Sequence, residues 1–514
     1  MNSQSEWGAS ELFATIREIE RLLPNLETYC AAVCEELSGS EVTTEMFRRL
    51  GGMWLMHLAH QVIASDEPAS LPHRVERVSV PIDSWSHTQS FVLSTEYRAQ
   101  ISWLAHEPSV ALVAGVPFFV TKIDAPQMSK SRREMESLLQ SLGPRSVGVV
   151  VSQPYLKISA VKRLRAIVAS RRVIRLDDLD SRAVPVAHVD GHARRSISTR
   201  VAGNDLVDKL HRIIPLVMPV AMSEGLPTAM KNLLPSYERP RFLYSANGSQ
   251  LNLPYQVVSS AWGAEGTRIL SHQHGGHQGL DEIHAGEECE IRASDVHYSL
   301  GWTDDRPNVK VLPAAMPSRA RVRTAGRLLL MTLADTDVVY RLQPFCVPSH
   351  VQRCASETRG FLSELRWPTT PIVRGSRRDI DALRLDSHFD SEGFQESGSK
   401  SASASSLVVH NYLGVTWLES LAMNVPTVCF IPTGIHAFRS AAKPFVDRLQ
   451  QVGILHHSGR EAAKFVNAFK GDPSAWWKSA EVQAAREAFV ARYANFSDDW
   501  LAAWQAEFES LLAE

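Results

Sequence analysis

The stretch Leu407-Val-Val-His-Asn-Tyr-Leu-Gly-Val-Thr-Trp-Leu-Glu-Ser-Leu-Ala-Met-Asn-Val-Pro-Thr-Val-Cys-Phe-Ile431 decides the fold class. Leu407 to His410 reads as a buried strand, Asn411 to Gly414 as a loop, Val415 to Met423 as a helix and Val425 to Ile431 as the next strand. Strand, helix and strand in so short a span make a parallel βαβ unit. Upstream the order recurs. Arg241-Phe-Leu-Tyr-Ser predicts a strand, Asn247-Gly248 a turn, Leu253 to Glu265 a helix, and Arg268-Ile-Leu-Ser-His a strand running into Gly275-Gly276. Earlier strand-like runs at Ser109–Gly115, Ser146–Ser152 and Arg172–Leu176 alternate with helix-like segments at Lys130–Leu142 and Ile158–Ser170.

Helical periodicity fills Ser10 to about Ala64 and Ser84 to Leu104. A fresh strand, Arg327-Leu-Leu-Leu-Met-Thr-Leu, comes after Gly326, then a helix over Ser349–Leu365 and a strand at Pro371-Ile-Val-Arg. The polar tract Asp386–Ser406 reads as a mobile surface loop, and Ala437–Glu514 as helices carrying Trp476, Trp477, Trp500 and Trp504, suited to packing over a domain junction. At 514 residues the chain exceeds one ordinary core. The expectation is an α/β protein of two domains. Residues 1–325 form an N-terminal helical region plus a Rossmann-like domain, and residues 326–514 a second Rossmann-like domain with terminal helices.

Composition narrows the function. With 54 basic and 56 acidic side chains the net charge is −2, so no global field draws a nucleic acid or an anionic membrane. Six cysteines in so long a chain make no disulfide framework, and no paired CxxC suggests structural zinc. The opening residues lack the basic start and apolar core of a secretory leader. The most apolar windows, Ile213–Met222 and Leu328–Leu333, are too short to span a bilayer. A cytoplasmic protein is expected, with peripheral membrane contact left open.

Four constellations carry chemistry. In Ser271-His-Gln-His-Gly-Gly-His-Gln-Gly279, the amides of Gly275 and Gly276 suit an anion, and His274 suits a leaving phosphate or general acid, with His277 beside them. These histidines with Asp281 and Glu282 show no established metal-ligand spacing, and no metal is expected. In Glu287-Glu-Cys-Glu-Ile-Arg-Ala-Ser-Asp295, Glu290 and Asp295 are candidate bases or nucleophiles. In the opening stretch, Asn411, Gly414 and Thr416 stand where an anion rests on a helix N-terminus, and Glu419 lies one turn on, placed for ribose hydroxyls. Arg341 and Arg374 are candidates for bidentate contact with a diphosphate or a carboxylated sugar.

The order of these pieces resembles bacterial transferases of surface-polysaccharide and O-antigen biosynthesis, glycosyltransferase-like proteins of the GT-B type. The resemblance rests on Thr44–Leu58, Tyr244-Ser-Ala-Asn-Gly, Ser271-His-Gln-His-Gly-Gly, Glu290-Ile-Arg-Ala-Ser-Asp through Gly301-Trp302, Tyr412–Phe430, Ser440-Ala-Ala-Lys-Pro-Phe, Val452-Gly-Ile-Leu-His, Trp476-Trp-Lys-Ser-Ala-Glu-Val-Gln and Arg492-Tyr-Ala. It implies two Rossmann-like domains facing across a cleft, the nucleotide of an activated sugar held mainly by the second and a glycan or glycoconjugate acceptor mainly by the first. Asn247 and Gly248 would join the donor contacts, and no cofactor beyond the nucleotide-sugar substrate is implied. A more distant likeness is to capsule transferases that use a CMP-activated ulosonic acid such as Kdo. The sequence departs from the family where Leu413-Gly414-Val415 replaces a polar Asn-Ser-Thr, and His277-Gln278 replaces Gly or Ser then Tyr. An assembly protein without turnover, or an epimerase or hydrolase on the same fold, are the alternatives.

Overall fold

The structure, a computed structural model, describes residues 9–64, 95–106, 149–152, 173–175, 189–234, 239–317, 319–320, 324–333, 342–343, 347–384, 390–392 and 397–514. By its contacts the chain divides into two compact units. An amino-terminal unit comprises Ala14–His272, Ala285–His297 and Phe508–Glu514, and a carboxyl-terminal unit Met1–Phe13, Gln273–His284 and Tyr298–Glu507. The histidine loop Gln273–His284 thus belongs, by its contacts, with the carboxyl-terminal unit.

The amino-terminal unit is built on strands β1 (Val149–Ser152), β2 (Val173–Arg175), β3 (Phe242–Ser245), β4 (Arg268–His272) and the start of β5 (Val296–Ser299). Their order is β2-β1-β3-β4-β5. The pairs β1–β2, β1–β3 and β3–β4 are parallel, with Val149 beside Val173 and Phe242, and Phe242 beside Arg268. Helices α1 (Ala9–Ser38, from Ala14 on in this unit), α2 (Thr44–Ile63), α3 (Leu253–Ala264) and α4 (Ala285–Ala293) belong to it, with further helices at Thr95–His106, Gly191–Thr199, Leu206–Val217 and Leu226–Leu233. Thr43 caps α2 through its hydroxyl, 3.2 Å from the amide of Met46, and the helix is buried on nearly every side. Asn252 caps α3 in the same way, 2.7 Å from the amide of Tyr255. The strand expected at Ser109–Gly115 and the helices expected at Lys130–Leu142 and Ile158–Ser170 lie outside the described residues.

The carboxyl-terminal unit holds a second parallel sheet: β6 (Leu328–Met331), β7 (Ile372–Arg374), β8 (Asp390–Glu392), β9 (Leu407–His410), β10 (Thr427–Phe430) and β11 (Leu455–His456), in the order β8-β7-β6-β9-β10-β11. Counted along the chain this is 3-2-1-4-5-6, the doubly wound order of a dinucleotide-binding sheet, with its switch point between β6 and β9. Successive side chains serve opposite cores. Leu328, Leu330, Leu407, Val409, Val428 and Phe430 pack with Phe361 of α5 (Pro348–Glu364), while Leu329, Met331 and Val408 pack with Ala402, Met423 and Val425. A sheet covered on both faces has no polar side, so its strands read as unbroken apolar runs.

The tract expected as a mobile surface loop is a correction. Asp390–Glu392 pairs with β7, and Gly398–Ser403 forms helix α6, with Ser399, Ser401, Ala402 and Ser403 buried, as is Ser405 beyond it. Small hydroxyl side chains fit such close packing because they bond their own backbone. Ser403 Oγ donates to Lys400 O at 3.0 Å and Ser405 Oγ to Ser401 O at 3.0 Å. Trp477 anchors in the same unit, its indole N–H 2.7 Å from Asn424 Oδ1, and Trp476 packs against the Leu330 core. Among the described residues no helix is long and apolar enough to cross a membrane.

Leu330 is fully buried at the centre of this sheet. Leu330→Ala should destabilise the unit by about 2–5 kcal/mol, read as a lowered urea midpoint at unchanged slope; a midpoint within error of the wild type would contradict this core assignment.

Candidate functional site

In a doubly wound sheet ligands bind outside the carboxyl ends of the strands, at the switch point. Here that point lies between Met331 and His410, and the side chain of Asn411 closes it. Its Nδ2 donates to Thr332 Oγ1 (2.8 Å), Thr358 Oγ1 (2.9 Å) and Leu333 O (3.0 Å), and its Oδ1 accepts from the Leu333 amide (2.9 Å). Asn411, expected as a donor contact, is therefore a clamp, because two N–H groups already serve three oxygens. Thr332 is held on its other side by the carbonyl of Arg374, 2.9 Å from its amide. Arg374 ends β7 as a buried side chain at this edge. Arg341 lies outside the described residues.

From Asn411 the chain turns into helix α7 (Val415–Ala422), with Gly414 as N-cap and no side-chain cap. The first helical amides thus meet the carboxyl edge without a side-chain acceptor, a ready anion cradle. A Cβ on Gly414 would strike the ring of Tyr412, so the glycine that replaces a polar residue here answers to packing. Tyr412 is a site residue that the sequence pattern does not single out. Burial pushes its hydroxyl up to about 12, Asp379 and Glu419 adding to the rise and Arg374 opposing it, which groups these four side chains electrostatically. Thr416 lies in the first turn of α7 beside Gly398. Glu419, one turn on, is pushed by burial up to about 7.

The histidine loop leaves β4 at Gln273, which organises it. The side-chain oxygen of Gln273 accepts from the Leu300 amide (2.9 Å) and the Trp302 indole (2.7 Å), and its Nε2 donates to Gly275 O (2.8 Å) and, more weakly, to Gln278 O (3.4 Å). His274, next along, is buried. The two glycines differ. A Cβ on Gly275 would meet nothing nearer than Gln278 Cγ at 3.8 Å, whereas one on Gly276 would lie 2.5 Å from Leu413 O and Gly414 C. Gly276 is small so that one backbone can lie on another, whereas close packing does not require a glycine at Gly275. The histidine loop thereby meets the start of α7 at Gly276, against Leu413 and Gly414, within the carboxyl-terminal unit.

His277 points elsewhere. It stacks on His436, with ring centroids 5.1 Å apart and planes 14° from parallel, and its Nδ1 stands 3.6 Å from Asp281 Oδ2. His436 Nδ1 bonds Asp281 Oδ1 at 2.8 Å. Burial drives His277 down to about 3, only partly offset by the attraction of Asp281. Burial alone would raise the Asp281 carboxyl, but His436, by charge and hydrogen bond, together with His277 and His284 holds it below the usual carboxylate value. The pairing of Asp281 with His436 carries no sequence signal, the two being 155 positions apart.

The remaining candidates lie in the amino-terminal unit. Asn247 stands at the N-cap position of the short turn of helix that begins at Gly248, without a side-chain capping bond, and the Gly248 amide instead donates to Ser245 Oγ at 2.9 Å at the end of β3. Asn247 Oδ1 and Gln250 Oε1 are buried and accept no hydrogen bond among the described residues. Gln250 is not singled out by the sequence. Glu290 is fully buried on α4. Asp295 is placed differently from the expectation: its Oδ2 takes the Ile269 amide (2.6 Å) and faces Arg49 (3.5 Å), at the amino-terminal edge of β4 and so at the opposite end of that strand from the histidine loop. It ties α2 to the sheet.

Gly276→Ala should separate the loops and lower stability by about 1–3 kcal/mol, as overpacking against backbone does; a variant melting with the wild type would refute the close approach. The Glu419 carboxyl sits above its ordinary 4.5, so it favours the folded state at low pH, and that contribution fades as pH rises from about 4.5 through about 7. Glu419→Gln should flatten this part of the stability profile, and an unchanged profile would show that Glu419 is not the group responsible.

No curated protein matches the chain in sequence. Among solved structures it is similar to a glycosyltransferase from Rickettsia africae ESF-5, at 11% identity and a TM-score of 0.36 over 72% of this chain and 99% of the other. Spinosyn rhamnosyltransferase SpnG gives 12% and 0.37 over 72% and 100%. Arabidopsis thaliana UGT89C1 gives 12% and 0.36 over 72% and 94%. The LIC12162 family transferase model matches residues 121–508, three quarters of the sequence, and the chain belongs to that family of transferases.

Proposed function

We propose that this transferase is a glycosyltransferase that moves a sugar from a nucleotide-sugar donor to a surface glycan or glycoconjugate, with a CMP-activated ulosonic acid such as Kdo as the donor to try first. The observation that carries the reading is the backbone approach of Gly276 to Leu413 and Gly414, which joins the histidine loop to an uncapped helix end at the switch point of a doubly wound sheet. In this reading the amides opening α7, with Thr416, hold the donor phosphates, and Arg374 offsets their charge. Glu419 accepts from ribose hydroxyls. His274 and the Gly275 amide meet the leaving phosphate, where preorganised dipoles in a dry site favour the developing charge. Fixed helix amides and a guanidinium supply that stabilisation, so the transfer step itself needs no metal on the donor phosphate. Glu290 is the base candidate, and Asn247 with Gln250 offers buried acceptors for hydroxyl-rich ligands in the amino-terminal unit.

Incubation with CMP-, UDP-, GDP- and dTDP-activated sugars, with and without lipopolysaccharide or capsule acceptors, should release one nucleotide only when acceptor is present. Release without transfer would make the protein a hydrolase, isomerisation without release an epimerase, and neither binding nor release an assembly protein. His274→Ala should cut transfer by about 100-fold or more while leaving the melting temperature in place. Wild-type turnover in that variant would remove His274 from the mechanism.

A further inference from the structure

Asp281 is fully buried, and the groups that meet its carboxylate are two imidazoles. Oδ1 is bonded by His436 Nδ1 at 2.8 Å, whereas Oδ2 faces His277 Nδ1 at 3.6 Å, beyond hydrogen-bond reach, and receives no donor among the described residues. The neighbouring guanidinium of Arg439 donates its Nε to the backbone carbonyl of Asp281, at 2.8 Å, and lies over the Trp302 ring. A buried carboxylate with one oxygen in this position calls for a cation. One ligand atom from each of His277, Asp281 and His436 lies within 4.8 Å of the others. Around a tetrahedral ion with bonds near ~2.0–2.2 Å, neighbouring ligand atoms stand roughly 3.3–3.6 Å apart. The two separations run to different oxygens of Asp281, 2.8 Å from His436 Nδ1 to Oδ1 and 3.6 Å from His277 Nδ1 to Oδ2, so the carboxylate stands between the two rings with an oxygen toward each.

We infer that His277, Asp281 and His436 form a binding site for a divalent transition-metal ion of the zinc class, two imidazoles and one carboxylate with a fourth position open. The donor set selects the ion: imidazole nitrogen suits zinc, cobalt and nickel, whereas magnesium and calcium prefer oxygen. The scaffold is already assembled. His277 and Asp281 share one turn, closed by the Asp281 amide on His277 O at 3.1 Å. The His436 segment is clipped to that turn by the Glu282 amide on Ala437 O (2.7 Å) and the Arg439 amide on Leu280 O (2.9 Å), around a bridge between Asp281 and Phe438. His436 also lines a small cavity with Asn411, Tyr412 and Ile431 at the carboxyl edge of the second sheet. An ion here fastens the histidine loop to the wall of that edge. It is a positioning element, distinct from the helix amides assigned to the donor phosphates, and the inference does not depend on the transfer reaction.

The test uses the full chain, stripped with chelator and titrated with Co2+ and Zn2+. The wild type should take up about one ion, and the cobalt form should show ligand-field absorption in the visible range of a four- or five-coordinate N/O site. Zinc should raise the melting temperature, and magnesium at the same concentration should not. Asp281→Asn, His277→Gln and His436→Gln should each weaken cobalt affinity about tenfold or more. The inference is overturned if the folded wild type binds no cobalt or zinc at tens of micromolar, a result that needs no variant to fold. It is equally overturned if all three variants bind with wild-type affinity and spectrum.

Discussion

Where neighbouring strands of a parallel sheet send their chains to opposite faces, their carboxyl ends diverge and nothing covalent holds the gap at a set width. In this protein the amide of Asn411 spans it, bonding Thr332, Leu333 and Thr358 at 2.8–3.0 Å. A buried amide whose donors and acceptor are all used is costly to move, since each broken bond leaves a polar group without water. The next segment of chain hangs from that residue: Tyr412 against Gly414, the uncapped start of α7, and the surface on which Gly276 lies. The width of the crevice is thereby decided by a side chain that need not touch a ligand.

The chemistry of this edge is that of neutral imidazoles and backbone dipoles. His277 and His410 are each driven by burial to about 3, so both are uncharged near neutrality. Glu419, raised to about 7, is divided between its two forms there. In a buried edge of this kind a hydrogen bond or ion pair is stronger than it would be in water. The same burial makes Asp281 conspicuous, a carboxylate that His436 holds below its usual value by charge and hydrogen bond.

The βαβ unit at 407–431 was legible because its strands are apolar at every position, and the structure explains why: Leu407 and Val409 enter one core and Val408 the other. Gly414, Thr416 and Glu419 could be read from the same pattern, since the start of a helix after a strand fixes their neighbourhood. Composition misled at Ser399–Ser405, where serines satisfied by their own helix pack as small core residues. Charge misled at Asp295, whose nearness in sequence to the histidine loop hid its place at the far end of β4. Nothing local marked the pairing of Asp281 with His436, because their relation exists only once two distant loops are laid side by side.

The paired glycines show most plainly how one residue type carries two meanings. A glycine lets something approach the backbone, and sequence cannot say whether that is a ligand or another stretch of chain. Gly276 meets Leu413 and Gly414, while a Cβ on Gly275 would make only an ordinary contact with Gln278 Cγ at 3.8 Å. The first fixes where the loop lies, and the second is not called for by that close packing. Gln273 holds both in place through the Gly275 carbonyl and the Trp302 indole. The motif thus divides its structural roles, Gln273 tying the loop to its neighbours and Gly276 admitting the backbone of Leu413 and Gly414.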